Sequence, residues 1–363
     1  MPFTRDTPYN ELPPLPPIDE LETKAVLKAV VSAGRALAEL KVKCTQIPNP
    51  SILIDNLMSL EAKDSSEIEN IFTTHDKLFQ ATVLEEGSVD VNTKEVVRYR
   101  QAIFKGLEEA RQRPLSSNTF ISIMQTIKRT DATIRKTPGT RIVNPAGEII
   151  YTPPEGEALI RSLLANLDEF INKKSDLDPL VKMAIAHYQF EAIHPFGDGN
   201  GRTGRIINIL YLVQCELINH PILFLSRYII ENKKDYYLCL QGITERGEWE
   251  KWLLYMLAAV EHTALWTIKI IDQIFEAMAI TQAIMRGTTK FYSKDLLEAI
   301  FRHPFCRYQA LIDAGITTNR LTASKYLKAL SASDVGLLEE MKFGREVVFF
   351  NRRLFEILTN PSI

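Results

Sequence analysis

The chain reads as mainly α-helical, with one β-hairpin and a small mixed module at its C-terminal end. Three observations give that fold class. Apolar residues recur at three- and four-residue intervals through most of the sequence, as in "ETKAVLKAVVSAGRALAELK" (Glu22–Lys41). One stretch, "TPGTRIVNPAGEIIYTPP" (Thr137–Pro154), breaks the pattern: β-branched runs flank "NPAG", whose proline and glycine suit a turn. Past Met285, "RYQALIDAGITTNRLTASKYLKALSA" reads as helix, glycine turn, helix. "GLLEEMKFGREVVFF" then reads as two strands joined at Phe343-Gly344-Arg345, the layout of a winged helix-turn-helix.

Taken in order, the proline-rich "LPPLPP" (Leu12–Pro17) reads as an extended arm on the surface, with an SH3-type ligand as the sharper alternative. Leu21 to Gln112 is helical. Helices resume after the hairpin over "EGEALIRSLLANLDEFIN", "DPLVKMAIAHYQFEAI", "RTGRIINILYLVQCEL", "KKDYYLCLQGIT" and "GEWEKWLLYMLAAVEHTALWTIKIIDQIFEAM". The organisation is an N-terminal helical region, 1–95, a central helical part, 96–285, and a C-terminal module, 286–363.

The 363 residues are 45% apolar and 24% charged, with a formal net charge of -2, as in an ordinary soluble globular protein. That balance argues against a polyanion-binding surface over the whole molecule, while leaving room for a local basic patch. Cys44, Cys215, Cys239 and Cys306 are far apart and form no C-x-x-C pair, so they read as reduced thiols. Acids and prolines stand where a signal peptide would be basic and then apolar. The longest apolar run, Trp252–Val260, falls short of the roughly 20 residues a spanning helix needs. A cytoplasmic protein with no membrane partner is expected.

The densest chemistry lies in "HPFGDGNGRTGR", His194 to Arg205, with four glycines in twelve residues. Glycine-x-glycine-x-x-glycine from Gly199 to Gly204 is a dinucleotide fingerprint only where it follows a strand, and the preceding segment reads as helix. His187, Glu191 and His194, at i, i+4 and i+7, have zinc-ligand spacing, but Pro195 ends the helix and the glycines and arginines are left unused. The third reading is an anion nest. Backbone N–H groups from Gly197 to Gly201 can converge on one concavity. A helix starting near Arg202 adds its unsatisfied N–H groups and dipole. Arg202 and Arg205 share one side of its first turn and repel each other unless a multiply charged anion lies between them. Asp198 is a poor neighbour for bare phosphate and a good ligand for Mg²⁺ bridging phosphate oxygens. A nucleoside triphosphate with magnesium satisfies every group, whereas a solvated tight turn leaves both arginines and the acid unexplained.

The run also matches, at every defined position, the Fic signature H-P-F-x-D-G-N-G-R-x-x-R. The whole layout resembles the bacterial Fic proteins that carry an inhibitory helix at the N-terminal side. The resemblance implies a Fic-type helical bundle with a β-hairpin flap, a C-terminal winged helix, and transfer of AMP from ATP to a protein hydroxyl. It implies that His194 is the general base and that Asp198 holds Mg²⁺ between the α- and β-phosphates. Asn200 would contact the α-phosphate, Arg202 would hold the phosphates and Arg205 would reach the γ-phosphate. Gly197, Gly199, Gly201, Thr203 and Gly204 complete the ATP-binding stretch, with Phe196 as a core plug fixing the loop. Tyr236 and Tyr237 would line the adenosine pocket. The flap, residues 140–153, would bind the protein target by strand addition.

"SSEIEN" supplies the family's inhibitory motif as Ser65, Glu69 and Asn70, on a short helix near residues 64–72 with Asp64 and Glu67 as its capping pair. The resemblance implies that Glu69 pairs with Arg205 through a bidentate bond and takes the arginine the γ-phosphate needs. Homodimers are common in the family.

DNA binding is the competing function. Residues 286–363 hold twelve Lys/Arg against eight Asp/Glu. Arg320, Ser324, Lys325 and Lys328 on the second helix, with Lys342 and Arg345 on the wing, can contact phosphates. Leu321, Ala323, Tyr326 and Leu327 need burial, which leaves few side chains for base edges. Protein interaction or dimerisation is the alternative role of such a module.

Overall fold

The computed structural model describes residues 3–46, 49–81, 89–144, 146–343 and 346–360. The fold is mainly helical. Helices α1 (Lys24–Thr45), α2 (Pro50–Ile68), α3 (His75–Gln80) and α4 (Val91–Gln112) make up the first part. The chain forms two compact units, one from residues 1–38, 64–71 and 98–264, the other from 39–63, 72–97 and 265–363.

The first unit continues through α5 (Ser117–Lys128), β1 (Ile142–Val143), β2 (Ile149–Tyr151), α6 (Glu157–Asn172), α7 (Pro179–Ile193), α8 (Asn200–Gln214), α9 (Leu225–Glu231) and α10 (Lys233–Arg246). Its core is α7. The Asp178 carboxylate accepts from the Leu180 N–H, and Pro179 sits at the first helical position, where it forfeits no bond. Every residue from Leu180 to Phe190 is buried, the pattern of a helix surrounded by protein. It packs between α6 and α8, and α8 packs on α5. Trp252 closes the far side, donating from Nε1 to the Ala184 carbonyl at 2.8 Å. The segment before α10, not resolved as a separate helix from sequence, forms α9.

β1 and β2 pair antiparallel, Ile142 with Tyr151 and Val143 with Ile149. The Asn144 side chain shapes the turn, accepting from the N–H groups of Ala146 and Glu148. Pro145 lies outside the described residues.

The proline-rich arm lies on the surface as expected, with Pro13, Pro14 and Pro16 exposed, but it is pinned by its leucines. Leu12 and Leu15 are buried, three residues apart and so on one face of a three-per-turn extended helix. The Leu15 N–H and carbonyl both bond to the Asn166 amide, and Gln189 donates to the Pro13 carbonyl. Upstream, the Tyr9 N–H donates to the Thr152 carbonyl beyond β2, and Arg5 pairs with Glu245 at 2.7 Å. An arm held by its leucines and backbone is part of the unit, which removes the SH3-ligand reading.

Helix α11 (Trp249–Thr288) contributes residues to both units, as do α1, α2 and α4. It is 40 residues long and apolar enough to cross a membrane by length and composition, contrary to the sequence expectation. As 61% of its most apolar window is buried inside the protein, it has the character of a core helix.

The second unit ends in α12 (Lys294–Phe301), β3 (Phe305–Cys306), α13 (Tyr308–Asp313), α14 (Arg320–Leu330), β4 (Glu339–Phe343), β5 (Glu346–Phe350) and α15 (Arg352–Thr359). The strands form an antiparallel sheet in the order β3-β5-β4. Gly344 and Arg345 lie outside the described residues. One burial expectation fails: Leu321 is 78% exposed. The buried stripe of α14 runs through Ala323, Leu327 and Leu330, and Leu321 stands off that face. All four cysteines are free thiols, with Cys44 and Cys306 buried.

Candidate functional site

Helix α7 ends at His194, whose backbone turns left-handed at φ 48° and ψ 59°. That conformation is uncommon for a residue with a side chain, and it swings His194 off the helix face. The loop that follows is tied by one residue. Asn200 accepts from the Phe196 N–H at 2.9 Å and donates to the Phe196 carbonyl at 2.8 Å. Both polar atoms of the Asn200 amide are thus engaged in closing the loop. Phe196 is 1% exposed and packs against Phe190, as a core plug should. Gly199 then caps α8 at φ 84°, a left-handed position that suits glycine. Helix α8 begins at Asn200, two residues earlier than its sequence suggests.

Arg205 lies in the second turn of α8 and is 2% exposed. Its Nε donates to the Ser65 hydroxyl, and one terminal nitrogen donates to the Ser65 carbonyl and to Glu69 Oε1, each at 2.8 Å. Burial works against its charge, but Glu69 together with Tyr99, Tyr236 and Glu191 outweighs that and holds the guanidinium above its usual range. The expected bidentate bond is corrected to a single contact, because Ser65 takes Nε and shares the terminal nitrogen. Gly201 is needed for the approach: a Cβ there would collide with the Glu69 carboxylate.

The helix bearing this motif is also not a short capped one. Asp64 is buried and lies well inside α2, so Asp64 and Glu67 do not cap its start. The helix stops at Ile68, and Asn70 takes the left-handed value φ 60° that terminates it. The Ile71 N–H returns to the Ser66 carbonyl at 3.0 Å, and Lys233 Nζ caps the Ile68 carbonyl at 2.7 Å. A residue that must sit at positive φ explains why the motif ends in glycine or asparagine.

A cavity of about 200 Å³ brings these groups together. His194, Gly201, Arg205 and Glu69 line one part of it, and Tyr236 and Tyr237 another. His194 is half-buried, but its Nδ1 is shielded from solvent and has no hydrogen-bond partner among the described residues. Burial lowers its pKa to about 4, with the Arg135 guanidinium adding to the shift, so the imidazole is neutral at pH 7. Tyr236 is nearly inaccessible and bonds through its hydroxyl to His187 Nε2 at 2.8 Å. Asn208 lies 3.1 Å from the other His187 nitrogen. With both nitrogens engaged, His187 is a packed core histidine and no zinc ligand. The strand required by a dinucleotide fingerprint is likewise replaced by α7.

Asp198 is exposed and is not among the residues that line the cavity. Its carboxylate bonds to Lys128 Nζ at 2.6 Å and lies 3.6 Å from Arg202, which is itself 1% exposed. Burial acts upward on Asp198, but Lys128 prevails and its pKa is lowered. Among the described residues no group of three His, Cys, Asp or Glu can hold a metal ion. The donor set suits a cation that takes one carboxylate and draws its other ligands from phosphate and water, as Mg²⁺ does.

Sequence reasoning passed over several residues of this region. Phe3 lines the cavity and stacks on Tyr151 at 5.9 Å between centroids. Glu191 lines it too, with Oε1 shielded and unpartnered among the described residues, and burial raises its pKa to about 8. Arg135 donates to the His194 carbonyl at 2.8 Å. Phe3 and Arg135 carry no local signal and Glu191 offered only its zinc-ligand spacing, since each matters through what the fold places beside it.

Residues 27–108 match the family described as Fic/DOC family N-terminal, and residues 277–354 match that described as protein adenylyltransferase SoFic-like, C-terminal domain. Two separate stretches of the chain therefore match models of Fic-type proteins. Among curated relatives, protein adenylyltransferase fic-1 of Caenorhabditis briggsae is 31% identical over 108 residues, 29% of this chain and 20% of that protein. A probable protein adenylyltransferase of Aquifex aeolicus is 34% identical over 79 residues, 22% of this chain and 24% of that protein. The matched stretches therefore span about a fifth to a quarter of those relatives. A crystal structure of a Fic family protein from Desulfovibrio desulfuricans has the same fold, with a TM-score of 0.56 at 20% identity, covering 92% of this chain and 98% of that one. A structure of Fic-1 from Caenorhabditis elegans gives 0.51 at 18% identity, covering 68% of this chain and 74% of its own.

Proposed function

We propose that this chain is a Fic protein adenylyltransferase that moves AMP from ATP to a Ser, Thr or Tyr hydroxyl of a target protein, and to itself. The convergence on one cavity of a neutral, half-buried imidazole, the glycine-rich N-terminus of α8 and a buried guanidinium carries this reading.

His194 accepts the proton as the acceptor oxygen attacks the α-phosphorus. A new oxygen–phosphorus bond forms, the bond from the α-phosphorus to the bridging oxygen breaks, and pyrophosphate leaves with that electron pair. General-base help is worth roughly 10²–10⁴ in rate, and the rest comes from positioning and charge neutralisation. Backbone N–H groups from Gly197 to Gly201 and the N-terminal turn of α8, with Arg202, receive the phosphates. Asp198 would hold Mg²⁺, which supplies charge neutralisation to the phosphate oxygens when bound. Lys128 leaves the Asp198 carboxylate as that happens. Tyr236 and Tyr237 wall the adenosine side. Asn200 serves first as the lock of the loop, and an α-phosphate contact would exchange one of its bonds to Phe196.

The β1–β2 hairpin is the flap in this reading. Its edge receives an extended target segment by strand addition and sets the acceptor hydroxyl beside His194. Glu69 is the brake: while it holds Arg205, the γ-phosphate lacks its partner and the α-phosphate lies out of line. The helix-turn-helix and sheet of the second unit form a winged-helix module, and exposed Leu321 favours a protein partner, including a second copy of the chain, over a DNA duplex.

Incubation with labelled ATP and magnesium tests the reading. Glu69→Gly is expected to raise AMP transfer at least tenfold over the parent protein, and His194→Ala in that background to abolish it. Equal labelling by the His194→Ala protein overturns the assignment of the base, and no gain from Glu69→Gly overturns the brake.

A further inference from the structure

We propose that Arg135 is a positioning residue for His194, clamping the backbone on both sides of the imidazole and tying it to the exit of the hairpin. The inference rests on His194 being the base.

Arg135 lies between α5 and β1 and is 8% exposed. Its Nε donates to the His194 carbonyl at 2.8 Å, and one terminal nitrogen reaches the Ile193 carbonyl at 3.3 Å. The same nitrogen donates to the Pro154 carbonyl, just beyond β2. Its own backbone N–H donates to the Pro195 carbonyl at 2.9 Å. Ile193, His194 and Pro195 are thus held by one residue, and so is the segment leaving the hairpin.

A buried guanidinium is costly unless its donors are satisfied. Here they meet no carboxylate within ion-pair distance among the described residues. They meet carbonyls instead, two of them at the C-terminal end of α7, where the helix dipole is negative. A planar fork with fixed donor directions suits carbonyls that must keep one arrangement, which an ammonium on a flexible stem would not enforce. What needs enforcing is the left-handed backbone of His194, a conformation unfavourable for a residue with a side chain. The clamp offsets that strain and so fixes the direction of the imidazole.

Charge adds a second effect. Arg135 disfavours the protonated imidazole, whereas Glu69 after α2 and Asp198 in the loop favour it. Glu191 and Tyr188 on α7, Tyr151 on β2, Arg205 on α8 and Tyr236 and Tyr237 on α10 are the other ionisable groups lining the cavity. The contact with Pro154 gives the clamp a use beyond rigidity. A target strand docking on the hairpin pulls on the same side chain that aims the base.

Arg135→Met and Arg135→Lys, each in the Glu69→Gly protein, test this when AMP transfer kinetics are combined with a proton NMR titration of the His194 ring. Methionine should lower kcat about 10²-fold, the scale set by a misplacement of about 1 Å. It should leave KM for ATP nearly unchanged and raise the His194 pKa. Lysine keeps the charge and loses the fork, so kcat should fall while the His194 pKa stays low. Full kcat in the lysine variant overturns the positioning role, as does an unchanged His194 pKa in a folded methionine variant. Should a thermal melt show the methionine variant unfolded, the lysine variant decides. If the Glu69→Gly parent transfers no AMP, the adenylyltransferase reading has failed, and the ring titration still answers for Arg135.

Discussion

A guanidinium that is 2% exposed must find its partners inside the protein, and Arg205 finds them on one short stretch, at Ser65 and Glu69. The Glu69 side chain is 34% exposed, so solvent screens part of the pair, yet removing Glu69 leaves the buried guanidinium without its carboxylate. Glu69→Gly therefore creates a site that gains by admitting an anion. His194 shows the complementary logic, since burial keeps its imidazole neutral until the pH falls to about 4. A lowered pKa means that the base form survives in acid, and loss of Glu69 removes one influence that raises it. The kcat/KM of the Glu69→Gly protein should accordingly stay level down to about pH 5, where an imidazole with its ordinary pKa near 6.5 is mostly protonated. A rate halved at pH 6.5 would contradict this placement of His194. At this scale the sequence named Glu69, Arg205 and His194 and missed their environment. The partial burial of His194 and the clamp of Arg135 arise from residues 59 positions apart in the chain.

The proposed brake lies at the end of an element. Glu69 stands just past the C-terminus of α2, where the dipole disfavours a carboxylate by roughly 0.3–1 kcal/mol. Arg205 offsets that penalty, and the balance makes the contact one that a competing anion can displace. Asn70 stops the helix at φ 60° and so sets where Glu69 points. Asn70→Val places a β-branched residue in that region and should loosen the turn, raising AMP labelling above the parent protein's. Asn70→Gly should leave labelling low, and equal low rates in both variants would contradict the role given to this turn. Helical periodicity made most elements legible. The hairpin was legible from its turn residues, and the start of α8 from its glycines. What misled was a local signal: Asp64 and Glu67 resemble a helix start, yet tertiary packing carries α2 straight through them. Short elements such as β3, with two residues, offered no pattern to read.

On the scale of the whole molecule, the compact units do not follow the chain. Residues 64–71, which bear Ser65 and Glu69, group with the unit that contains His194, while the segments on either side of them group with the other. Periodicity marks where a helix lies and is silent on which unit each of its turns joins. The arm follows the same rule, since two leucines three apart could be placed only once their partners were known. What the first unit assembles from these scattered pieces is the cavity we propose for a triphosphate, and the whole account depends on that. Isothermal titration of the Glu69→Gly protein with ATP, with and without magnesium, measures it directly. Saturable binding that strengthens with the cation and weakens markedly in an Arg205→Ala version is the predicted result. No heat of binding from folded Glu69→Gly protein in the presence of magnesium would contradict the account.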